Sequence, residues 1–247
     1  MTTDPVLSLS GVSRTFDEHH PVISNVSFDL SHGETVSVVG PSGCGKSTLL
    51  RMIAGLDTPT TGTIINRAVR TQMLFQEPAL LPWRTLRRNV ELNNDLHKSL
   101  TQRSTVDEIL RSVGLLEHAD KYPHQLSGGM KMRTSLARAL STDSDLLLLD
   151  EPFSAIDELT RESLNDLLLS TQRQWRFASL FVTHNIAEAM YLSDRIIVLS
   201  PTHTGESHIN AIIDVTLPDQ RTPAIRYTSE FHTLCHSVHS ALRDMHS

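Results

Sequence analysis

A glycine-rich loop between a predicted strand and a predicted helix constrains the fold of this chain more than any other feature. Residues 40–47 read GPSGCGKS and fit the phosphate-loop pattern G-x-x-x-x-G-K-[ST]. Apolar residues at 35–39 predict a strand before the loop, and those at 49–54 predict a helix after it. Glycines let backbone N–H groups turn inward and surround phosphate oxygens at a helix N-terminus. The order of strand, loop and helix therefore predicts a phosphate-binding α/β domain.

The same loop supplies the largest group of candidate binding residues. Lys46 is expected to reach the β- and γ-phosphates of a nucleotide, and the hydroxyl of Ser47 to ligate Mg²⁺. Cys44 lies where a helix dipole favours a thiolate, so we expect its alkylation to block nucleotide binding; the alternative is an inert small residue. The candidate nucleotide-binding residues of this segment are Gly40, Pro41, Ser42, Gly43, Cys44, Gly45, Lys46, Ser47 and Thr48.

An apolar run that ends in two acidic residues provides the second half of such a site. Residues 146–149 are four leucines, which predict a strand buried on both faces of a parallel sheet. Asp150 follows them and is placed to hold Mg²⁺ through water, and Glu151 is placed to polarise an attacking water as a general base. By itself the run is more typical of a core strand with a solvated end. Together with the phosphate loop it predicts a nucleotide-hydrolysing site.

The remaining periodicities predict a strand-rich start, a helical middle and a return to buried strands. Alternating apolar residues up to Leu30 predict antiparallel strands. Apolar steps of three and four residues predict a helix capped by Ser104 or Thr105, within a helical insertion at residues 78–140. The other predicted elements are strands at 179–183, 195–199 and 208–217, helices at 159–175 and 186–192, and a helix after Pro223 with Phe231, Leu234, Val238, Leu242 and Met245 on its apolar face.

Composition excludes several classes of protein. The chain has 22 Lys+Arg and 28 Asp+Glu, a net charge of −6, whereas nucleic-acid-binding proteins usually present a basic face. No segment approaches the ~18 apolar residues of a membrane span, and residues 1–5 show no signal-peptide pattern. Two cysteines, Cys44 and Cys235, cannot form a disulfide framework. We therefore expect a cytosolic protein with no nucleic-acid partner.

A serine-glycine-glycine turn distinguishes among the families of nucleotide-hydrolysing proteins. Residues 126–130 read LSGGM and lead into the helical pattern of residues 131–140. In isolation this is a capped helix start. Its position between the phosphate loop and Asp150 is the arrangement of ATP-binding cassette (ABC) ATPases, and the chain resembles that family over residues 7–217. The resemblance implies an α/β fold with a P-loop NTPase (RecA-like) core, an antiparallel β-subdomain and an inserted α-helical subdomain.

The resemblance also implies ATP and Mg²⁺ as cofactors and roles for further residues. Phe16 stands where an aromatic ring stacks on adenine, and His184 stands at the histidine that contacts the γ-phosphate. Gln76 stands at the glutamine that senses Mg²⁺ and the attacking water. The implied catalytic residues are Glu151, His184 and Gln76, the implied metal ligands are Ser47, Gln76 and Asp150, and the implied nucleotide contacts outside the loop are Phe16, Ser127, Gly128 and Gly129.

A head-to-tail dimer is a further implication of the family pattern. Ser127 and Gly129 of one subunit would complete the ATP site of a second copy, and residues 154–157 (SAID) resemble the loop that crosses the interface. We expect the ABC ATPase domain at residues 1–220 and a C-terminal amphipathic helix at residues 221–247.

Three residues depart from the pattern of the family. Met132 stands in place of the glutamine of an Arg-Gln-Arg run, Asn185 stands where aspartate is frequent, and Ile156 stands where leucine is usual. None of these changes removes a group that touches phosphate, Mg²⁺ or water. We therefore expect ATP hydrolysis to survive them.

Residues 75–85 form the most subfamily-specific passage. They read FQEPALLPWRT and are similar to ATPase subunits of bacterial importers for nitrate, sulfonate, taurine and related solutes. In that family this face receives a helix of the membrane permease, and Trp83 is predicted to be an exposed anchor rather than a partly buried tryptophan. The resemblance implies a peripheral protein on the cytoplasmic face of the inner membrane. Its partners would be a permease and, indirectly, a periplasmic or surface solute-binding protein.

The sequence also leaves other functions to consider. The chain could serve an importer for another small solute, such as a vitamin or pyrimidine precursor, or be a soluble non-transport ABC ATPase. A DNA-repair ATPase would carry a long coiled coil before the signature, and a non-hydrolysing regulatory subunit would lose Glu151 or His184. A small-molecule kinase has no use for residues 126–130.

Three histidines in the predicted terminal helix admit two interpretations. His232, His236 and His239 have the spacing of metal ligands on one helical face. They have no partnering carboxylates, so we interpret them as the polar face of an amphipathic helix.

Overall fold

One mixed sheet organises the computed structural model, which describes residues 4–16, 21–96, 105–142, 144–202 and 205–243. The strands are β1 (Leu7–Thr15), β2 (Pro21–Leu30), β3 (Thr35–Val39), β4 (Thr61–Asn66), β5 (Thr71–Leu74), β6 (Leu146–Asp150), β7 (Ala178–Val182), β8 (Arg195–Pro201) and β9 (Ser207–Asp214). Their order in the sheet is β4-β1-β2-β9-β8-β3-β7-β6-β5.

Helices cover this sheet and fill the middle of the sequence. They are α1 (Lys46–Ile53), α2 (Leu86–Val90), α3 (Leu92–Leu96), α4 (Val106–Ser112), α5 (Gly128–Leu140), α6 (Glu158–Trp175), α7 (Ile186–Leu192) and α8 (Ser229–Arg243). Short 3₁₀ helices lie at Leu116–His118, Pro123–Gln125 and Pro223–Tyr227. None of the helices in the described ranges combines the length and the apolar character of a membrane-spanning segment.

The part of the sheet that carries the phosphate loop is parallel. Strand β3 pairs in parallel with β7 and β8, and β6 pairs in parallel with β5 and β7. The leucines of β6 alternate between the two faces: Leu147 and Leu149 pack into one apolar cluster, and Leu146 and Leu148 into another. Burial on both faces is typical of parallel sheets with helices on each side. The predicted α/β class is therefore confirmed.

The strand-rich start of the chain forms the antiparallel part. Strand β1 pairs antiparallel with β2 on one side and with β4 on the other, as the alternation before Leu30 predicts for β1 and β2. The sequence pattern does not predict β4 or β5. Strand β4 reads TGTIIN and is mostly exposed, and β5 has four residues. Pairing with β1 and β6, rather than their own apolar periodicity, makes these segments strands.

The helical middle has an apolar core of its own. Helices α2 to α5 fall within the predicted insertion at residues 78–140. The hydroxyl of Thr105 accepts the Glu108 N–H at 3.3 Å, and Glu108 in return accepts the Thr105 N–H at 2.8 Å, which confirms Thr105 as the cap. Ser104, the alternative cap, lies outside the described residues. The buried core residues are Leu86, Val90, Ile109, Leu110, Val113, Leu115, Ala119, Leu126 and Ala137.

The C-terminal helix α8 packs against α7 and the sheet. Phe231 and Val238 are buried in the main cluster, which is the apolar cluster that also holds Leu147 and Leu149. Leu234 and Leu242 are half-buried against it. Met245 lies outside the described residues. The three histidines of this helix, His232, His236 and His239, are exposed. Within the ranges described above, no three His, Cys, Asp or Glu side chains are grouped to hold a metal ion. Helix α8 is therefore amphipathic over Ser229–Arg243, with its apolar side chains on the core and the three histidines exposed.

Gly62, at the start of β4, allows two strands to approach closely. Its φ is +83°, and a Cβ atom there would lie 2.3 Å from the carbonyl oxygen of Gly11 on β1. We expect Gly62→Ala to lower the free energy of unfolding by about 2–4 kcal/mol, because both the dihedral strain and the backbone collision have to be relieved. Urea denaturation measures this loss.

Gly55 is the matched control for Gly62. It also has a positive φ, +71°, but a Cβ atom there would meet nothing within 4 Å. Gly55→Ala should therefore cost only the dihedral strain, about 1 kcal/mol. Equal losses for the two variants would contradict the close approach of β1 and β4.

Candidate active site

The phosphate loop connects β3 to α1, as predicted, and turns on two glycines with positive φ. Gly43 has φ +81° and Gly45 has φ +88°. A Cβ atom at Gly45 would lie 2.9 Å from the side chains of Val22 and Ile23, so this position has no room for a larger residue. A Cβ atom at Gly43 would meet nothing within 4 Å. The loop is therefore packed against β2 on one side and open on the other.

The open side of the loop faces a cleft of about 490 Å³. The cleft brings together residues that are far apart in the chain and that the sequence predicts as site residues. Val22 is a cleft residue that the sequence analysis misses, because a valine in an alternating strand carries no signal of a site. The lining residues are Phe16, Val22, Ser42, Gly43, Gly45, Lys46, Ser47, Thr48, Gln76, Asp150 and Glu151.

Lys46 is the principal cation of this cleft. Its side chain is 6% exposed, and its Nζ donates to the carbonyl oxygens of Gly40 and Pro41, each at 2.9 Å. The same Nζ lies 3.9 Å from Oε1 of Glu151. Gly40 and Pro41 do not line the cleft, so they contribute to the site by holding this ammonium group. A cation desolvated in this way interacts strongly with an incoming anion.

Ser47 and Asp150 form an oxygen pair at the start of α1. The Ser47 hydroxyl donates to Oδ1 of Asp150 at 2.9 Å. Burial raises the pKa of the Asp150 carboxyl, and the hydrogen bond from Ser47 opposes that rise. A hydroxyl and a carboxylate at this separation, with the Gln76 amide on the same cleft, are the hard oxygen ligands that Mg²⁺ prefers. The residues present therefore fit a magnesium ion.

Glu151, which lines the cleft, contacts His184, which does not line it. Nδ1 of His184 lies 3.0 Å from Oε2 of Glu151, and the His184 side chain is 61% exposed. Glu151 has φ +42°, a left-handed conformation that costs a residue with a side chain about 1–3 kcal/mol. Its N–H donates to the Val182 carbonyl at 2.9 Å, which holds the turn after β6 to the neighbouring strand β7. The fold thus maintains a strained backbone at the residue predicted to be the general base.

The signature segment does not reach this cleft. Ser127 caps α5 by accepting the Met130 N–H at 3.3 Å. A Cβ atom at Gly129 would lie 2.7 Å from Cγ2 of Thr160, so the glycine allows α5 to start close to α6. Gly128 has more space, with 3.8 Å from such a Cβ to Cδ1 of Ile156. Neither Ser127 nor these glycines line the cleft of their own chain.

The prediction that Cys44 is a reactive thiol is wrong. Its side chain is 4% exposed and packs in the apolar cluster beneath the loop. Burial raises the pKa of the Cys44 thiol, and the nearby Lys46 charge does not compensate for it. Desolvation thus outweighs the Lys46 charge and the backbone hydrogen bonds that lower this pKa, and the thiol stays protonated. This leaves the inert small residue as the interpretation of this side chain.

Phe16 lies at the rim of the cleft, half-exposed. The Arg14 guanidinium lies 4.6 Å from the centroid of its ring. Arg14 is itself held by an ion pair with Asp57 at 2.8 Å. One face of the ring is therefore supported by a cation.

The departures from the family pattern leave the cleft intact. Asn185 caps α7, because its Oδ1 accepts the N–H groups of Ala187 at 2.9 Å and Glu188 at 3.2 Å. Asparagine and aspartate are equally good caps, so this role does not depend on charge. Met132 is 1% exposed in the main apolar cluster.

Trp83 is 71% exposed, which confirms the prediction that its aromatic side chain is exposed.

Comparisons with known proteins find that this chain is similar to ATP-binding subunits of transporters. The family model described as ABC transporter matches residues 23–154. The aliphatic sulfonates import ATP-binding protein SsuB 1 of Agrobacterium fabrum is 44% identical over 216 residues, which cover 87% of this chain and 76% of that protein. The nitrate import ATP-binding protein NrtC of Synechococcus elongatus is 42% identical over 230 residues, which cover 87% of this chain and 35% of NrtC.

A solved structure resembles the fold over most of its length. This dimeric ATP-binding cassette, in a post-hydrolysis state bound to ADP and phosphate, superposes with a TM-score of 0.71 at 29% identity. The match covers 86% of this chain and 100% of the solved one.

Proposed function

Because this chain belongs to the ABC transporter family, we propose that it is the ATP-hydrolysing subunit of a bacterial importer for a small solute. The observation that carries the proposal is the cleft in which Lys46, Ser47, Asp150 and Glu151 converge. The similarity to a sulfonate importer subunit and a nitrate importer subunit favours a sulfonate or nitrate as the solute class. The solute would be selected by partner proteins rather than by this chain.

In this proposal the phosphate loop binds the ATP phosphates. Lys46 would exchange its two carbonyl partners for β- and γ-phosphate oxygens, since both are acceptors for the same ammonium group. Backbone N–H groups of the glycine-rich loop would donate to the remaining oxygens. Phe16 would stack on the adenine with its free face, opposite Arg14.

Ser47, Asp150 and Gln76 are the proposed ligands of Mg²⁺. The Ser47 hydroxyl and the Asp150 carboxylate, which share a hydrogen bond, would hold the ion together with the Gln76 amide, the carboxylate acting through water. When bound, Mg²⁺ would neutralise charge that develops on the phosphates.

Glu151 is the proposed general base and His184 the proposed γ-phosphate contact. Glu151 would accept a proton from the attacking water at its carboxylate, which the strained turn after β6 directs into the cleft. His184 is positioned by its hydrogen bond to Glu151. Its exposed ring edge is then available to a γ-phosphate oxygen.

A second copy of the chain is the proposed partner across the cleft. Ser127, Gly128 and Gly129 do not line the cleft of their own chain, and a head-to-tail copy would supply them. The related solved cassette is itself dimeric, which supports a second copy as the partner. We further propose that residues 1–220 form the ATPase domain and residues 221–247 a C-terminal amphipathic unit, whose helix α8 packs on the core through Phe231 and Val238.

A membrane permease is the proposed second partner, which would place the chain at the cytoplasmic face of the inner membrane. Trp83 is a large apolar side chain at 71% exposure, and such residues are typical anchors of protein interfaces. A solute-binding protein on the other side of the membrane would be an indirect partner.

Replacing the proposed anchor tests the importer assignment. We expect Trp83→Ala to weaken association with the permease at least ~10-fold, because the aromatic contact area is lost, while ATP affinity stays unchanged. Co-purification of tagged chain with co-expressed permease, and titration with fluorescent ATP, measure the two quantities. Val69→Ala is the control, since Val69 is 84% exposed on the turn between β4 and β5. A chain with full ATPase activity and no membrane partner would contradict the importer assignment.

A further inference from the structure

An ion pair with a buried carboxylate and a partly exposed guanidinium links the two segments that follow and precede the proposed catalytic residues. Glu188 on α7 is 5% exposed, and its Oε1 lies 3.5 Å from Nε of Arg161 on α6. Neither side chain lines the cleft, so neither is used by the proposed nucleotide chemistry. An ion pair with a desolvated carboxylate contributes little net stability compared with apolar packing, so the other contacts of the two side chains show what the pair holds in place.

The Glu188 side of this pair holds the turn that carries His184. Oε2 of Glu188 accepts the hydroxyl of Thr183 at 2.7 Å, and Thr183 Oγ1 in turn accepts the Asn185 N–H at 3.0 Å. Asn185 then accepts the Glu188 N–H at 3.2 Å, which closes the turn on itself. His184 therefore lies between two residues that are both tied to Glu188.

The Arg161 side holds the loop that follows Glu151. Arg161 Nη2 donates to the Ile156 carbonyl at 2.7 Å, and Nε donates to the Phe153 carbonyl at 3.3 Å. The start of the same loop is tied to Glu151, whose carbonyl accepts the Ser154 N–H at 3.2 Å and the Ser154 hydroxyl at 3.0 Å. Arg161 therefore fixes the path of the backbone that leaves Glu151.

These contacts and the Glu151–His184 hydrogen bond together form a continuous ring of interactions that passes through Glu188 and Arg161. We propose that Glu188 and Arg161 are a positioning pair that sets His184 relative to Glu151 and so serves the hydrolytic step rather than nucleotide binding. The proposal rests on the function proposed above, since it assumes that Glu151 and His184 act together. Neither Glu188 nor Arg161 is a catalytic residue, because both act through the segments that they hold.

Steady-state ATP hydrolysis by the full chain provides the first test. Glu188→Gln keeps an acceptor for Thr183 but removes the charge that faces Arg161. We expect kcat to fall about 10-fold with the KM for ATP within about 2-fold, because misplacement of reacting groups slows chemistry more than binding. In an Arg161→Met background, adding Glu188→Gln should cost less than a further 2-fold, since paired residues are not additive.

Asp166→Asn is the matched control. Asp166 is also on α6, and it accepts the Tyr191 hydroxyl of α7 and a hydrogen bond from Arg226, each at 2.7 Å. This control disturbs a polar contact between the same helices without touching the turn of His184 or the loop after Glu151. We expect its kcat to stay within 2-fold of the unaltered chain. A Glu188→Gln variant no slower than this control, or one with raised KM and unchanged kcat, would overturn the positioning role.

Amide hydrogen exchange without nucleotide tests the geometry independently of activity. Exchange at Ser154, Ile156 and Asn185 should quicken at least 10-fold in Glu188→Gln, whereas exchange at Leu148 in β6 should not change. Unchanged exchange at all three amides would overturn the proposal even if the enzyme is active. If the unaltered chain hydrolyses no ATP, the proposed function fails, and the exchange result still decides whether the pair holds these segments.

Discussion

Glu151→Gln should reduce ATP turnover at least ~100-fold and change ATP affinity by less than about 3-fold, because a neutral amide cannot take the proton of the attacking water. The glutamine keeps the volume and the hydrogen-bonding atoms that meet His184 at 3.0 Å. It also keeps the left-handed backbone at this position, so the variant should fold as the unaltered chain does. Single-turnover hydrolysis and fluorescent ATP titration on the chain assembled with its permease measure the two effects.

Glu230→Gln provides the charge-matched control for this experiment. Glu230 is exposed at the start of α8 and lines no part of the cleft. Its replacement should leave both turnover and affinity unchanged. Unchanged turnover in Glu151→Gln would show that another group accepts the proton, and the general-base assignment would then be wrong.

Lys46→Ala is expected to weaken ATP binding at least ~100-fold, since a desolvated ammonium that makes charge-assisted bonds to phosphate contributes several kcal/mol. Lys46 Nζ also ties the loop together through the carbonyls of Gly40 and Pro41. Its loss therefore removes the ligand contact and loosens the loop that presents the other N–H donors. Equilibrium titration with a fluorescent ATP analogue gives the affinity, and thermal unfolding without nucleotide shows whether the fold persists.

Two further variants make the Lys46 result interpretable. Lys121→Ala removes an exposed cation outside the cleft and should leave affinity unchanged. Lys46→Arg keeps the charge, but a planar guanidinium presents its donors differently from an ammonium held by two carbonyls, so its affinity should also fall. Retention of full affinity in a folded Lys46→Ala chain would contradict the proposed phosphate contact.

Much of the candidate site is predictable because its parts are short and local. The phosphate loop at residues 40–47 depends on glycine conformations and on one strand–helix junction, and the structure forms that junction as predicted. The four leucines before Asp150 predict a doubly buried strand, and both faces of β6 are indeed covered. The geometric grouping of these segments in one cleft follows from the parallel pairing of β3, β7 and β6.

Other features could not be predicted from the sequence because they depend on contacts with residues far away in the same chain. The exposed strand β4 exists through its pairing with β1, and no apolar alternation predicts it. Cys44 was expected to be reactive from its place at a helix start, yet its burial under the loop raises its pKa. Sequence position gives the dipole at a residue, but only packing gives the solvent that remains around it.

The sequence by itself determined the family, the phosphate loop and the identity of the candidate site residues, since each depends on a contiguous motif with its own backbone geometry. The tertiary structure decided which of these residues share one cleft, that Glu151 occupies a strained turn beside His184, and that the buried Glu188 carboxylate faces Arg161. These facts arise from strand pairing and helix packing between segments far apart in the chain. Contacts of that kind follow from the exclusion of water by the whole fold, which no local pattern encodes.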